Sequence, residues 1–224
     1  MVLEALACGI RLEILALGDG VSFDAPAGRT VTLGERAMAA ASQTVTPQGV
    51  LAVARSENVS VAEAAQAARD ARWPLLVLDG VQDPGNVGTI CRSAAAAGAP
   101  ALAVLDGGAD PFGAKAVRAS AGAVFRLKVA QGRWDDLAGL TGYAASAAGG
   151  VPLESAELEQ GSLLALGGET HGVRRQDLMP VTIPMAPGVE SLNVAAAAAI
   201  LLFELRRRRT AGAASLDPFR QRRT

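Results

Sequence analysis

The chain has 224 residues, half of them apolar and 19% charged, with a formal net charge of −1. That is long enough for one domain or two modest ones with a sizeable core, and the composition is that of a folded helical or α/β protein, which excludes a largely disordered chain. The near-neutral total hides an asymmetry: from Arg206 to Thr224 there are seven arginines and one aspartate, +6, so residues 1 to 205 carry −7. Any nucleic-acid contact therefore has to be local. RRRR at 206–209 reads equally as such a contact or as a solvated helix end, where cations meet the C-terminal dipole. The longest apolar run, Val194 to Phe203, falls far short of the roughly 20 residues of a membrane helix. The N-terminus, MVLEALACGIRLE, has no basic segment leading into a signal-like core, so a cytoplasmic location is expected. Cys8 and Cys91 are far apart and form no CxxC, which gives no indication of a zinc site or redox pair; both read as buried thiols.

Residues 1–56 hold strand candidates RLEILAL, TVTL and VLAVA around a helix candidate, ERAMAAASQ, and a turn, TVTPQGV: a small α/β module. SENVSVAEAAQAARDAR follows as an alanine-rich amphipathic segment broken at Trp73-Pro74, and residues 57–73 read as a helical linker. From 74 to 210 the pattern alternates. LLVLD, ALAVLD, AVFRLKV, GYAAS, LLALG and PVTIP are strand candidates; NVGTICRSAAAAG, GAKAVRASAG, WDDLAGL and the run after Asn193 are helix candidates. Buried apolar strands separated by helices predict a mostly parallel sheet covered on both faces. Residues 211–224 read as a loose basic tail.

Ligands of parallel sheets bind beyond the C-terminal strand ends, which singles out three loops. In DGVQDPGNVGTICR, Asn86 is a candidate N-cap whose helix start could receive an anion, with Arg92 less than two turns on. GxGxxG is absent. In LALGGETHGV, glycines surround Glu169 and the lone His171; nothing is spaced to orient the histidine, so Glu169 is the stronger candidate and His171 a surface or RNA contact. In IPMAPGVESLN, two prolines and a glycine precede Glu190, Ser191 and Asn193, with Ser191 a candidate N-cap of the last helix. Taken alone, each loop reads as an ordinary helix entry or turn. Together they place glycines, a carboxylate, an arginine and amides at one end of the sheet, with no metal-ligand cluster and no activated nucleophile.

Jointly, DPGNVGTICRSAAAAG, LALGGETHG and IPMAPGVESLNVAAAAAILLFE resemble the three motifs of the SpoU (TrmH-like) RNA methyltransferases of the SPOUT superfamily, with DPFGAKAVRASAGAVFRL as a further similar segment. The resemblance runs from about Leu75 to Leu205. SQTVTPQGVLAV, at 42 to 53, is similar to the substrate-binding module that precedes the catalytic domain in many ribosomal-RNA members, with Gln48 as a candidate RNA contact. The resemblance implies a catalytic domain with a C-terminal trefoil knot, S-adenosyl-L-methionine as cofactor, 2′-O-methylation of ribosomal RNA and a homodimer. It places the cofactor at Leu166, Gly167, Ile183, Met185, Leu192 and Asn193. The catalytic positions fall on Arg92, Asn86, Glu169, Ser191 and Asn193, and Lys115 and Arg118 would face RNA. Transfer RNA is the alternative substrate, and a non-catalytic RNA-binding or ribosome-assembly protein is the alternative class.

The chemistry fits these residue types. In-line attack of a ribose oxygen on a methyl group gains chiefly from orientation and needs no metal or membrane. Arginine stays protonated in proteins, so Arg92 is expected to anchor the RNA phosphate and the nucleophilic oxygen, with Glu169 orienting it or the polar loop residues. Two departures from the resemblance stand out: Thr170 replaces the usual glycine after the glutamate, and the N-terminal module starts at MVLEAL without the short segment many relatives carry.

Overall fold

The computed structural model describes residues 1–42, 46–55, 58–160 and 162–213. The chain divides into two compact units, Met1–Glu57 and Asn58–Thr224. In the smaller, α1 (Val2–Ala7) precedes β1 (Leu12–Gly18), β2 (Ala27–Leu33), α2 (Glu35–Ser42) and β3 (Val50–Ala54). The strands form a sheet in the order β2-β1-β3, with β1 parallel to β2 and antiparallel to β3. The three expected strands and the helix are present; α1 is an addition. Gln48 is exposed just ahead of β3, and the first residues of the expected TVTPQGV turn, 44 and 45, lie outside the described residues.

The larger unit begins with α3 (Val61–Asp70), so most of the stretch expected as a linker belongs to it instead. Ser60 and Glu63 form a reciprocal capping box, and Val61, Ala64, Ala65 and Ala68 are buried. That spacing is a core-facing helical stripe, and alanine lets the helix lie close to the sheet. There follow β4 (Leu75–Asp79), α4 (Pro84–Ala97), β5 (Ala101–Leu105), α5 (Ala114–Ala119), β6 (Lys128–Gly132), β7 (Gly142–Ser146), β8 (Val151–Pro152), β9 (Leu163–Gly167), β10 (Met179–Thr182) and α6 (Val194–Ala213). The seven strands form a parallel sheet in the order β6-β5-β4-β9-β7-β10-β8.

Side-chain alternation splits the core. Leu76, Leu78, Leu102, Val104, Leu164 and Leu166 face one cluster with α4 and α6, whereas Leu75, Val77, Ala101, Ala103, Leu163 and Ala165 face the other with α3. Both faces are covered, as strands apolar at every position require.

Two local expectations differ from the structure. AVFR, read as the start of a strand, is a 3-10 turn at Ala123–Arg126 that follows two left-handed residues, Ala121 and Gly122. Strand β6 starts only at Lys128, where pairing with Ala101 becomes possible. WDDLAGL makes one 3-10 turn, Trp134–Leu137, because Gly139 takes a left-handed conformation soon after it.

The arginine run is neither a solvated helix end nor a free basic patch, for it ties α6 to three segments. Arg206 donates to the Ala96 carbonyl at the end of α4, Arg208 to the Leu153 and Ala156 carbonyls, and Arg209 to those of Ala71 and Arg72 beyond α3 while lying over the Trp73 ring. Helix α6 runs through Ala213, and the remainder of the expected tail, from 214, lies outside the described residues. Cys91 is buried, and burial pushes its thiol up to about 12, which makes it inert; Cys8 is only half-buried. Among the described residues no helix is long and apolar enough to cross a membrane.

Candidate active site

The C-terminal ends of β4 and β9 deliver the first two loops side by side. Helix α4 opens with Asp83 as N-cap, accepting the Gly85 N–H at 3.1 Å, and Pro84 in the first turn, where its missing N–H costs nothing. Asn86 therefore lies inside the first turn and is not the cap. A Cβ at Gly88 would stand 2.3 Å from the Ala116 carbonyl oxygen, so glycine lets α4 pack directly on α5. Lys115 of α5 reaches Asp83 at 2.8 Å, and that bond, with the Gly85 N–H, holds the Asp83 carboxyl below the usual range.

The second loop is pinched by the Gly172 N–H donating to the Gly168 carbonyl at 3.0 Å. A Cβ at Gly167 would fall 1.9 Å from the Gly172 carbonyl carbon, and one at Gly168 2.3 Å from the Gly80 oxygen. The left-handed residue of this turn is Gly172, so Thr170 needs no unusual backbone and the departure at that position is accommodated.

A chain of amide hydrogen bonds joins all three loops. Asn86 Nδ2 donates to Glu169 Oε1 at 3.3 Å, and Asn193 Nδ2 donates to Asn86 Oδ1 at 3.2 Å. Asn193 Oδ1 in turn accepts the N–H groups of Ala195 and Ala196, so Asn193, not Ser191, caps α6. Two cavities meet here, sharing Gly168, Glu169, Gly172 and Val194 as a common wall. The smaller, about 290 Å³, is lined by Leu166, Gly167, Ile183, Met185, Ser191 and Leu192, and also by Ala145, Ser146 and Ala147. The larger, about 420 Å³, takes in Asp79, Gln82, Asp83, Asn86, Asp106, Glu169, His171 and Arg174. Three of its carboxylates carry their own cations: Asp79 with Arg174, Asp83 with Lys115, and Asp106 with Arg133.

Asn86, Glu169 and Asn193 are thus brought together, and five of the six expected cofactor residues line one cavity. Asn193 stands at its edge as a cap. Glu169 is bonded to Asn86 and not to Arg92. Arg92 is exposed on α4, and its side chain hydrogen-bonds to no described residue. Six residues along the helix place it about 9 Å from Asn86 along the axis and turned about a third of a turn away. Arg118 is half-buried on α5. Sequence reasoning missed the Asp79–Arg174 pair and the wall after β7, where the small-residue run AASAAGG was the available signal. Among the described residues no group of three or more His, Cys, Asp or Glu is poised to hold a metal ion.

Residues 74–203 match the model of the SpoU rRNA Methylase family. The 23S rRNA (guanosine(2553)-2′-O)-methyltransferase RlmP of Bacillus subtilis is 34% identical over 220 residues, covering 92% of this chain and 85% of that protein. An AdoMet-bound rRNA methyltransferase from Sinorhizobium meliloti superimposes with a TM-score of 0.75 at 28% identity, over 92% of this chain and 84% of that one. The SpoU methyltransferase AviRb from Streptomyces viridochromogenes, solved with AdoMet, gives 0.75 at 25% identity, over 94% and 88%. The chain belongs to the SpoU rRNA methylase family, and with it to the RNA methyltransferases.

Proposed function

We propose that the protein transfers the methyl group of S-adenosylmethionine to a ribose 2′-hydroxyl of ribosomal RNA, with the smaller cavity holding the donor. The observation that carries this reading is the Glu169–Asn86–Asn193 chain at the wall shared by the two cavities. The smaller cavity fits the donor's chemistry: apolar side chains (Leu166, Ile183, Leu192, Leu201) for an aromatic ring and the Gly167 backbone for close approach. Its volume lies near the lower end of the roughly 300–1,000 Å³ usual for small-molecule sites. When bound, the cofactor supplies an electrophilic methyl group on sulfur.

The protein's own part is orientation. Asn86 and Asn193 lock the first and third loops to Glu169, fixing the wall against which the ribose must lie. Arg92, whose side chain pairs with no described residue, anchors the RNA phosphate beside the nucleophilic oxygen, and Ser191 holds the third loop where it lines the cofactor cavity. Lys115 and Arg118 extend the RNA-facing edge, and residues 1–56, with Gln48, select the RNA.

A homodimer belongs to the same proposal: Ile200 and Phe203, 41% and 48% exposed, lie on one face of α6, an apolar stripe suited to a second copy. So does the trefoil knot, which is supported by the insertion of β9 between β4 and β7 and of β10 between β7 and β8. The cytoplasm, where ribosomal RNA and the donor coexist, is the proposed location. The test is transfer from labelled S-adenosylmethionine to purified ribosomal and transfer RNA. Incorporation into ribosomal RNA supports the reading, and efficient methylation of transfer RNA with ribosomal RNA untouched contradicts it.

A further inference from the structure

One residue fastens both ends of the second loop. At the end of β4 the Asp79 carbonyl accepts the Gly168 N–H at 2.9 Å, and its carboxylate accepts the Arg174 N–H at 2.6 Å and Nε at 2.7 Å. Arg174 Nη2 lies 2.5 Å from the same carboxylate and donates to the Asp106 carbonyl at 3.0 Å, which links β4 to the residue after β5. The Asp79 side chain is fully buried, whereas that of Arg174 is half exposed. A buried carboxylate is tolerated only when paired and hydrogen-bonded, and here one arginine supplies all of that from backbone and side chain together.

Such an arrangement closes a loop rather than merely filling a core. Between the two fastened ends lie Glu169, Thr170 and His171, and the Gly168–Gly172 bond narrows the hairpin further. Among the described residues the Glu169 side chain is held only by Asn86, at 3.3 Å. We propose that Asp79 and Arg174 are a positioning pair for methyl transfer: by clamping loop 168–174 they hold Glu169, and through it the Asn86–Asn193 chain, in the reactive arrangement. The inference rests on the roles given above to Glu169 and Asn86. The pair acts through the wall between the cavities, so loosening it degrades alignment of the reactants more than their binding.

The test uses the full-length protein with saturating S-adenosylmethionine and ribosomal RNA. Arg174→Gln lowers kcat by about tenfold or more, the scale expected when reacting groups shift by a fraction of an ångström, while cofactor affinity by calorimetry changes less than about threefold. Arg174→Lys, which keeps a charged donor for Asp79, recovers part of the loss. Asp79→Asn acts in the same direction, and the double variant is no slower than the slower single one. Because Asp79→Asn can fail to fold, the Arg174 series carries the test, with thermal melting to show that each variant is folded.

A folded Arg174→Gln protein with kcat within about twofold of the parent overturns the proposal. So does a loss that tracks the melting temperature alone and is not relieved by lysine. Asn86→Ala and Glu169→Gln are measured alongside. If these abolish transfer while Arg174→Gln does not, only the clamp is wrong; if these leave transfer intact, the site assignment falls and the clamp with it.

Discussion

Asn86 sits in the first turn of α4 and commits both ends of its amide to residues 83 and 107 positions away in sequence. No local pattern reveals such a bond, yet the three motifs single out its members: Asn86 and Asn193 are polar side chains where a loop meets a helix, and Glu169 stands among glycines after β9. Their cap assignments were less legible: Asp83 precedes Pro84 and Asn193 directly precedes α6, so in each loop the cap is a different polar residue from the one the spacing favoured. Asp79 and Arg174 were not legible, for they lie 95 positions apart, one at the end of an apolar strand and the other in an ordinary polar turn. Two outcomes belong at this scale. Arg92→Ala abolishes transfer while leaving cofactor affinity by calorimetry nearly unchanged, since Arg92 lines neither cavity; lost cofactor binding in a folded protein contradicts its role. Gly88→Ala drives a Cβ into α5, 2.3 Å from a backbone oxygen, and lowers stability in denaturant unfolding by about 1–3 kcal/mol or more.

Helix α6 was expected as a packed apolar helix with a basic end of uncertain purpose. Ala198, Leu201, Leu202 and Leu205 are buried, and its arginines reach backbone carbonyl groups in three other segments. A composition count cannot separate an arginine aimed at phosphate from one aimed at a carbonyl, which is why the charge asymmetry left both readings open. Glu204 lies among these arginines, and hydrogen bonds from Arg207 and Arg208 lower its carboxyl from 4.5 to about 2. A folded-state value below the unfolded one stabilises the protein above about pH 4.5, and that contribution disappears as the pH falls toward 2. Denaturant unfolding of the parent and Glu204→Gln should therefore differ near neutrality and converge on acidification. On the exposed face, Phe203→Glu places a charge in the apolar stripe; sedimentation is expected to show a smaller species than the parent, with the fold retained.

For the whole molecule, fold class and the alternation of strands and helices were readable from the apolar periodicity, because a strand buried on both faces leaves an uninterrupted apolar run. The lateral order was not: nothing in LLALG says that β9 lies between β4 and β7, a placement that brings the second loop beside the first. The linker expectation failed for a related reason, since an alanine-rich amphipathic segment reads alike whether it spans units or packs closely on a sheet. The division at residues 57 and 58 predicts that a fragment from Asn58 onward binds S-adenosylmethionine with near-parental affinity but loses most of its activity on ribosomal RNA. Full activity in that fragment contradicts a selecting role for the N-terminal unit.

Nucleoside mass spectrometry of ribosomal RNA treated with the purified protein and S-adenosylmethionine reads ribose methylation itself. One additional 2′-O-methylated nucleoside is expected, absent when Arg92→Ala replaces the parent. A methyl group found on a base, or no new modification from a folded, cofactor-binding protein, contradicts it.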